Sequence, residues 1–205
     1  SLAGGSTVTL TTSGYTPVAV DTFTAVFTAS AVETDPILTN NVDSLIFVVS
    51  DSVFSTENGV VDGALSIGAG NSGFLGNQYT LVASDDLTSV TFTLTAPTMG
   101  DTIVGAVYNM VGGTPTTIAA LTDTLFVTST TQAEYTLPII GGSVNLAAGE
   151  YAVGLQESIS GSMTLATNTE YYTPATAWVF FGGNWDNNEN FGFPNTYVMH
   201  ANFGP

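Results

Sequence analysis

Residues 87–110 read LTSVTFTLTAPTMGDTIVGAVYNM, and this stretch predicts the fold of the whole chain. In its first run Val90, Phe92 and Leu94 alternate with threonines, the pattern of a strand with one buried and one wetted face. The second run, residues 102–110, is apolar on both faces, which favours a strand deep in a sheet. A turn rich in Pro and Gly separates the two runs. Two long strands joined in this way predict a layered β fold.

The rest of the chain repeats this pattern of short alternating runs and turns. About a dozen short strands at intervals of about 8–12 residues predict an all-β fold, a two-layer antiparallel β-sandwich of jelly-roll type. No shift in composition marks a boundary, so we expect one domain over residues 1–205. The apolar run SLIFVV at 44–49 is predicted to be a central strand.

Two segments depart from the regular pattern of strands and turns. Residues 1–13 carry a loose alternating run, which we interpret as a peripheral strand or one exchanged with a neighbouring chain. Residues 54–77 are rich in glycine and predict a long loop. A loop of this length is uncommon in a compact domain unless it has a role.

The charge of the chain excludes several classes of function. It contains no Lys or Arg, and 17 acidic residues give it a formal net charge of −17. Nucleic acids and anionic membrane surfaces are bound mainly through basic side chains, so neither is an expected partner. We also expect no insertion into a membrane, because no apolar run approaches the roughly 20 residues of a spanning helix. An acidic surface without trypsin-type cleavage sites fits a protein exposed outside the cell.

The residues also argue against an enzyme. There is no cysteine, which removes thiolate chemistry and disulfides, and the lone histidine is His200. The sequence that comes nearest to a nucleophile elbow, Ala64–Gly68, lacks the first glycine of that motif. We therefore expect no catalytic residues and interpret His200 as a strand residue that faces solvent.

Three stretches together resemble a known kind of module. They are residues 91–115 (TFTLTAPTMGDTIVGAVYNMVGGTP), 144–157 (VNLAAGEYAVGLQE) and 177–204 (AWVFFGGNWDNNENFGFPNTYVMHANFG). The pattern resembles β-sandwich modules of large secreted proteins of Bacteroidota that are exported by the gliding-associated, type IX route. The resemblance implies a secreted, cell-surface location and no single activity. His200-Ala201-Asn202 departs from it, because an arginine often stands near this position in such modules.

The loop at residues 182–192, GGNWDNNENFG, is the most suggestive candidate for binding. Asp186, Asn188 and Asn190 alternate as oxygen ligands do in calcium loops, although the closing glutamate and glycine of such loops are missing. The alternative is an Asn/Asp-rich hairpin whose side chains bond to the local backbone. Calcium is therefore the one cofactor that we consider.

Aromatic residues near the same loop suggest a carbohydrate site, since amphipathic rings offer an apolar face and a polar edge. Trp185 lies in the loop, whereas Trp178 lies in a strand and is expected in the core. The candidate ligand-binding residues are Trp185, Asp186, Asn188, Tyr171 and Tyr172.

Four Asp-Ser/Thr-aliphatic motifs resemble the O-glycosylation motif of exported Bacteroidota proteins. They would make the protein a glycoprotein, with Ser52 and Thr102 the better sites because both lie near turns. The alternative is that Asp begins a strand and the β-forming Ser or Thr follows. The four candidate sites are Ser44, Ser52, Thr102 and Thr124.

Two functions remain open at the level of sequence. The first is a non-enzymatic extracellular structural or adhesive module, a subunit or repeat of a surface fibre, filament or large adhesin. Its partners would be copies of itself or neighbouring modules, joined along strand edges because main-chain bonds need no basic side chain. The alternative is a carbohydrate-binding jelly roll that uses the loop around Trp185.

Overall fold

The chain divides into two compact units, residues 1–50 and residues 51–205. Both hydrophobic core clusters are built from residues that follow Ser50 in the chain. The single domain predicted over residues 1–205 stays a prediction. The ranges described by the computed structural model are 6–14, 19–30, 36–157 and 163–204.

The part of the chain that the structure describes contains sixteen strands and two short 3-10 turns, so the predicted all-β class is confirmed. The turns span Leu38–Asn40 and Asn188–Phe191. The strands are β1 (Asp21–Thr28), β2 (Val42–Val49), β3 (Val53–Ser55), β4 (Gly63–Leu65), β5 (Gly73–Leu81), β6 (Asp85–Leu94), β7 (Thr102–Val111), β8 (Thr114–Phe126), β9 (Ala133–Pro138), β10 (Val144–Leu146), β11 (Gly149–Glu157), β12 (Leu165–Asn168), β13 (Ala177–Phe181), β14 (Asn184–Asn187), β15 (Thr196–Tyr197) and β16 (Met199–Phe203).

The larger unit is a sandwich of two antiparallel sheets. One sheet has six strands in the order β14-β13-β5-β11-β7-β8. The other has eight: its main path runs β15-β12-β6-β16-β3, with β9 and β10 also paired to β6 and β4 paired to β12. Alternate residues of both sheets meet in one hydrophobic core, as expected for two sheets packed face to face. The predicted antiparallel β-sandwich is therefore confirmed.

Strands β6 and β7, which include most of residues 87–110, belong to different sheets. Val90, Phe92 and Leu94 of β6 are buried in the core, as the alternation predicted. In β7, Ile103 and Val107 face the same core from the other sheet. The turn between the two strands therefore carries the chain from one layer of the sandwich to the other.

The smaller unit holds an antiparallel hairpin of β1 and β2, in which Phe23 lies opposite Phe47 and their rings stack at 5.6 Å. The prediction that residues 44–49 form a central strand is wrong. Within the described residues β2 pairs with β1 alone, and Ile46 and Val48 are exposed. A run that is apolar on both faces indicates that other residues can pack against both faces. It does not identify those residues.

Two further predictions concern segments of the chain. Residues 6–14 are exposed and lie outside any strand, so an exchanged strand over residues 1–13 stays a prediction; residues 1–5 lie outside the described part. The segment predicted as a long loop, residues 54–77, includes the end of β3 at Ser55, all of β4 and the start of β5 at Gly73. The glycines of this segment serve strands as well as turns. Neither described 3-10 turn has the length and apolar character needed to cross a bilayer.

Candidate functional site

An aromatic cluster lies on the side of the six-stranded sheet that faces away from the sandwich core. We call it the aromatic face; it is formed by Phe74, Tyr108, Trp178, Phe180 and Trp185. Successive side chains of a strand point to opposite faces of the sheet. Leu75 and Val179 point into the core, so their neighbours Phe74 and Phe180 point outward. The same strands thus build the core on one side and this cluster on the other.

Trp185 contacts three other rings of the aromatic face. The centroid of Trp185 lies 5.2 Å from that of Phe74, 4.9 Å from Tyr108 and 5.0 Å from Phe180. Phe74 and Tyr108 are 5.1 Å apart and meet edge to face. These separations fall in the favourable range for aromatic pairs. Phe74 and Trp178 are buried, whereas Tyr108, Phe180 and Trp185 remain half-buried and reachable from solvent.

Small residues form the floor under the rings. Gly76 of β5 lies opposite Gly154 of β11, and the ring of Phe74 covers both. A Cβ added at either glycine would come within 2.6 Å of Phe74 Cζ. Ala106 and Ala152 complete this floor. A glycine inside a strand often marks such a close approach.

Polar side chains border the aromatic face. The indole nitrogen of Trp178 donates to Oε1 of Gln78 at 3.1 Å, and Nε2 of Gln78 donates to Oε1 of Glu150 at 3.2 Å. Nε2 of Gln156 donates to the hydroxyl of Tyr108 at 2.7 Å. The face therefore combines apolar ring surface with amide, phenol and carboxylate groups that are held in fixed orientations.

The structure places the residues that the sequence grouped around Trp185 in different surroundings. Trp185 belongs to the aromatic face, and Trp178, expected in the core, is buried but on this outer side. Tyr171 and Tyr172 lie instead in the loop after β12, where the amide of Tyr171 donates to Asn168 Oδ1 at 3.0 Å. Burial and the Glu189 carboxylate raise the pKa of Tyr172 to about 12. The ring of Trp185 instead contacts Phe74, Tyr108 and Phe180.

Side chains of the loop considered for calcium make hydrogen bonds to other residues of the protein. Asp186 Oδ1 accepts hydrogen bonds from the amide of Asn187 and from Nδ2 of Asn190, which hold the pKa of Asp186 below its usual value. Asn188 is fully buried: its Oδ1 accepts from the Tyr197 hydroxyl at 2.6 Å, and its Nδ2 donates to Asn195. Among the described residues, no three His, Cys, Asp or Glu side chains are grouped to hold a metal ion.

His200 points away from the core and pairs with Glu57. Its Nε2 lies 2.6 Å from Oε1 of Glu57, and Ser55 Oγ donates to the same carboxylate oxygen at 2.8 Å. In a serine-type triad the histidine stands between the hydroxyl and the acid. Here the carboxylate stands between the hydroxyl and the imidazole, so this trio does not have the order that activates a nucleophile.

The hairpin of β1 and β2 carries exposed apolar side chains on both faces; we call this surface the apolar hairpin. On one face Val26, Ile46 and Val48 are exposed by 61%, 61% and 70%. On the other, Phe27 and Leu45 are also exposed. Exposed apolar patches of this kind are typical of surfaces that bind another protein.

A small apolar cavity of about 150 Å³ opens near the 3-10 turn Asn188–Phe191. It is roomy enough for a few waters or a small apolar group. Its lining residues are Leu65, Ser66, Ile67, Leu75, Val179, Phe181, Asn188, Phe191 and Phe193.

The four candidate glycosylation sites differ in exposure. Ser44, Ser52 and Thr124 are exposed, whereas Thr102 at the start of β7 is half-buried. The amide of Ser44 donates to Oδ1 of Asp43 at 2.8 Å, a local bond typical of an Asp near the start of a strand. This geometry fits the alternative explanation of the motif at Asp43, and glycosylation of the four sites stays a prediction.

Comparison with known proteins shows a shared fold. The chain matches a cysteine-to-alanine variant of the clostridial cysteine protease Cwp84 after propeptide cleavage, at a TM-score of 0.60 and 15% identity, over 81% of this chain and 44% of that one. It also matches a structure of the cysteine protease and lectin-like domains of Cwp84, described as a surface layer associated protein of Clostridium difficile, at a TM-score of 0.53 and 13% identity. That match covers 78% of this chain and 37% of the other.

The chain thus spans less than half the length of the structures it matches. No protein family profile matches it, and no curated protein is significantly similar in sequence. At this level of identity the likeness concerns the fold alone. Because this chain has no cysteine, its own residues supply no cysteine nucleophile.

Sequence reasoning missed most of the aromatic face. It identified Trp185 but overlooked Phe74, Tyr108 and Phe180, because their contacts depend on which strands are neighbours. A signal was available in β5, where FLG places Phe74 and Gly76 on the same face of the strand. A large ring two residues from a glycine on one face indicates that the ring lies over the backbone.

Proposed function

We propose that this chain is a non-enzymatic, extracellular structural and adhesive module that joins to neighbouring β modules through the apolar hairpin. The observation that carries the proposal is that Val26, Ile46 and Val48 are largely exposed on one face of a two-stranded ribbon. A two-stranded hairpin is at best marginally stable in water without further strands or packing. A neighbouring module that covers these side chains would supply that packing.

The charge of the chain favours this mode of association. Copies that each carry −17 repel one another, and no Lys or Arg is present to form ion pairs between them. Apolar contacts and main-chain hydrogen bonds need no basic partner. Salt should therefore strengthen the association, since it screens the repulsion between carboxylates.

The comparisons support a location outside the cell. One matched structure is described as a surface layer associated protein with a lectin-like domain. An acidic chain with no Lys or Arg fits the same location. Export by the type IX route is implied by the resemblance alone, and it stays a prediction, as does a place in a filament or large adhesin.

The proposal is tested by measuring the molar mass of the purified chain by light scattering over a range of concentrations, at low and high salt. We expect association that increases with concentration and salt. The variant Ile46→Thr/Val48→Thr keeps β-branched side chains but removes apolar surface, so it should shift the equilibrium toward monomer at least tenfold.

The matched control is Val82→Thr, which alters a 92% exposed valine of the larger unit and should leave association unchanged. Circular dichroism of both variants would show whether the strands persist. A wild-type chain that stays monomeric at every concentration and salt level would overturn the proposal. Equal association of the wild-type protein and the hairpin variant would also contradict it.

A further inference from the structure

The aromatic face is built differently from an ordinary solvent-facing side of a sheet. Such a side normally carries polar residues. Here the ring centroid of Trp185 lies about 5 Å from those of Phe74, Tyr108 and Phe180. Three of these four rings, those of Tyr108, Phe180 and Trp185, are half-buried. Phe74 and Trp178 are buried beneath or beside the others and stabilise the strands. Tyr108, Phe180 and Trp185 still offer ring surface to a ligand.

The polar groups at the border complement this ring surface. Gln156 is half-buried and anchored through Nε2 to the Tyr108 hydroxyl, and Gln78 links the Trp178 indole to the Glu150 carboxylate. Binding sites for small ligands commonly combine apolar and aromatic surface with a few polar groups that fix orientation. Because the amides here are already held by neighbours, little side-chain entropy would be lost when a ligand binds.

Charge restricts the class of ligand. The chain carries no Lys or Arg, and Glu150 is exposed at the edge of the aromatic face. An anionic ligand would meet repulsion without a compensating cation. A neutral ligand with many hydroxyls would instead donate to the carboxylate and to the amide oxygens, and its C–H surface would pack on the rings.

We infer that the aromatic face binds an uncharged carbohydrate, whose pyranose ring packs against Trp185 and Tyr108 and whose hydroxyls bond to Gln156, Gln78 and Glu150. The site differs from the group of residues that the sequence suggested, because Tyr171, Tyr172 and Asn188 take no part in it. It does not depend on the apolar hairpin, so either proposal can fail while the other stands.

Intrinsic fluorescence reports on this site directly, because both tryptophans of the chain, Trp178 and Trp185, lie in the aromatic face. The probes are soluble neutral polysaccharides (laminarin, xyloglucan, galactomannan and mannan), titrated into the purified chain and also cast into native gels. We expect at least one of them to shift the tryptophan emission and to retard the protein in the gel.

Two variants separate binding from folding. Trp185→Ala removes a ring, whereas Gln156→Ala leaves all the rings in place and removes a single polar anchor. Each should weaken binding at least tenfold, with the melting temperature of Gln156→Ala close to that of the wild-type protein. Phe126→Ala is the matched control, since Phe126 is an exposed aromatic residue of the same sheet outside the cluster, and it should bind as the wild-type protein does.

Four outcomes would overturn the inference. The first is that none of the four polysaccharides binds at millimolar sugar concentration. The second is that both variants bind as tightly as the wild-type chain. The third is tighter binding of an anionic polysaccharide such as alginate, which contradicts the argument from charge. The fourth is loss of binding in Phe126→Ala as well, which would place the carbohydrate elsewhere on the sheet.

Discussion

Nε2 of His200 lies 2.6 Å from Oε1 of Glu57, whose side chain is closed off from solvent. The chain has no Lys or Arg and one His, so this is the only basic side chain that can pair with any of its 17 acids. The pair joins strand β16 to the segment after β3, at the outer side of the eight-stranded sheet.

The two pKa values of this pair move apart. The hydrogen bond to Glu57 raises the pKa of His200 above 6.5; burial opposes this rise, and the charges of Glu57 and Glu134 add to it. Burial pushes the pKa of Glu57 upward, but hydrogen bonds from His200, Gly59 and Ser55 outweigh it and hold the value below 4.5. Both groups are therefore charged together between these two folded-state values.

We predict that the pair stabilises the fold in mildly acidic solution and ceases to do so in alkali. A raised folded-state pKa of His200 means that its contribution is fully present below 6.5 and is lost as the pH rises through the folded value. The contribution of Glu57 is present above 4.5 and is lost as the pH falls through its own folded value. His200→Gln should thus destabilise the chain by about 1 kcal/mol at pH near 6 and by much less near pH 9.

The check is urea unfolding followed by tryptophan fluorescence at both pH values, for the wild-type chain and the variant. Since the chain has no other histidine, the difference between the two proteins isolates this pair. An equal loss of stability at both pH values would show that His200 contributes by packing and not by charge.

Two glycines of strand β11 provide a matched pair for testing the floor of the aromatic face. A Cβ at Gly154 would come within 2.6 Å of Phe74 Cζ and 2.5 Å of Gly76 Cα, and it would also collide with the carbonyl oxygen of Leu75. At Gly149 the nearest atom, Cε2 of Tyr151, is 3.8 Å away.

We therefore expect Gly154→Ala to lower the free energy of unfolding by about 1–3 kcal/mol, because the strands and the Phe74 ring must move to admit a methyl group. Gly149→Ala should be neutral or stabilising by about 0.4–1 kcal/mol, since it restricts the unfolded chain without a clash. Urea unfolding of the two variants decides the matter. Similar stabilities would mean that the strands do not approach each other as closely as the structure shows.

The fold could be predicted from sequence where the order of residues within one strand determines which side chains are buried. Val90, Phe92 and Leu94 alternate with threonines, and that alternation alone assigned β6 a core face correctly. The aromatic face could not be found in the same way, because it requires Gly76 to lie opposite Gly154 and Trp185 to reach Tyr108 from another strand. Pairing between distant strands is not encoded in any local period.

The apolar hairpin shows the opposite limit. Residues 44–49 have the composition of a buried strand, so the sequence assigned them to the centre of the sandwich, yet Ile46 and Val48 are exposed. The composition of residues 44–49 indicates that their side chains are more stable when another surface buries them. It does not identify that surface, because such contacts involve residues outside this run. The calcium interpretation met a related limit, because the spacing of Asp186 and Asn188 does not reveal that Asn188 turns inward to Tyr197.

We predict that calcium does not stabilise this chain selectively. Asp186 already accepts two hydrogen bonds within its loop. Asn188 is buried, and both the oxygen and the nitrogen of its side-chain amide are hydrogen-bonded. Thermal melting with millimolar CaCl₂ and with an equal concentration of MgCl₂ should give the same small rise, because both ions screen a net charge of −17. A calcium-specific rise of several degrees that disappears with EDTA and in Asp186→Asn would contradict this.

The last prediction concerns Asn77, which connects the two sheets from inside the core. Strand β5 points Leu75, Asn77, Tyr79 and Leu81 to the core side, so an amide stands in a row of apolar residues. Its Nδ2 donates to the carbonyl oxygen of Tyr197 at 2.8 Å, and its Oδ1 accepts from the amide of Tyr197 at 3.0 Å. Tyr197 belongs to the opposite sheet, so this single side chain completes the backbone bonding of a buried residue across the sandwich.

Asn77→Leu keeps the volume of the side chain and removes these bonds. We expect a loss of about 3 kcal/mol or more, because the buried N–H and C=O of Tyr197 lose their partners and each unsatisfied group costs about 1–3 kcal/mol. Thr80→Ala, at an exposed position of the same strand, should change stability by no more than about 0.5 kcal/mol. Urea unfolding measures both. If Asn77→Leu proves neutral, water or a shift of β15 must replace the amide, and the two sheets are held together by apolar packing alone.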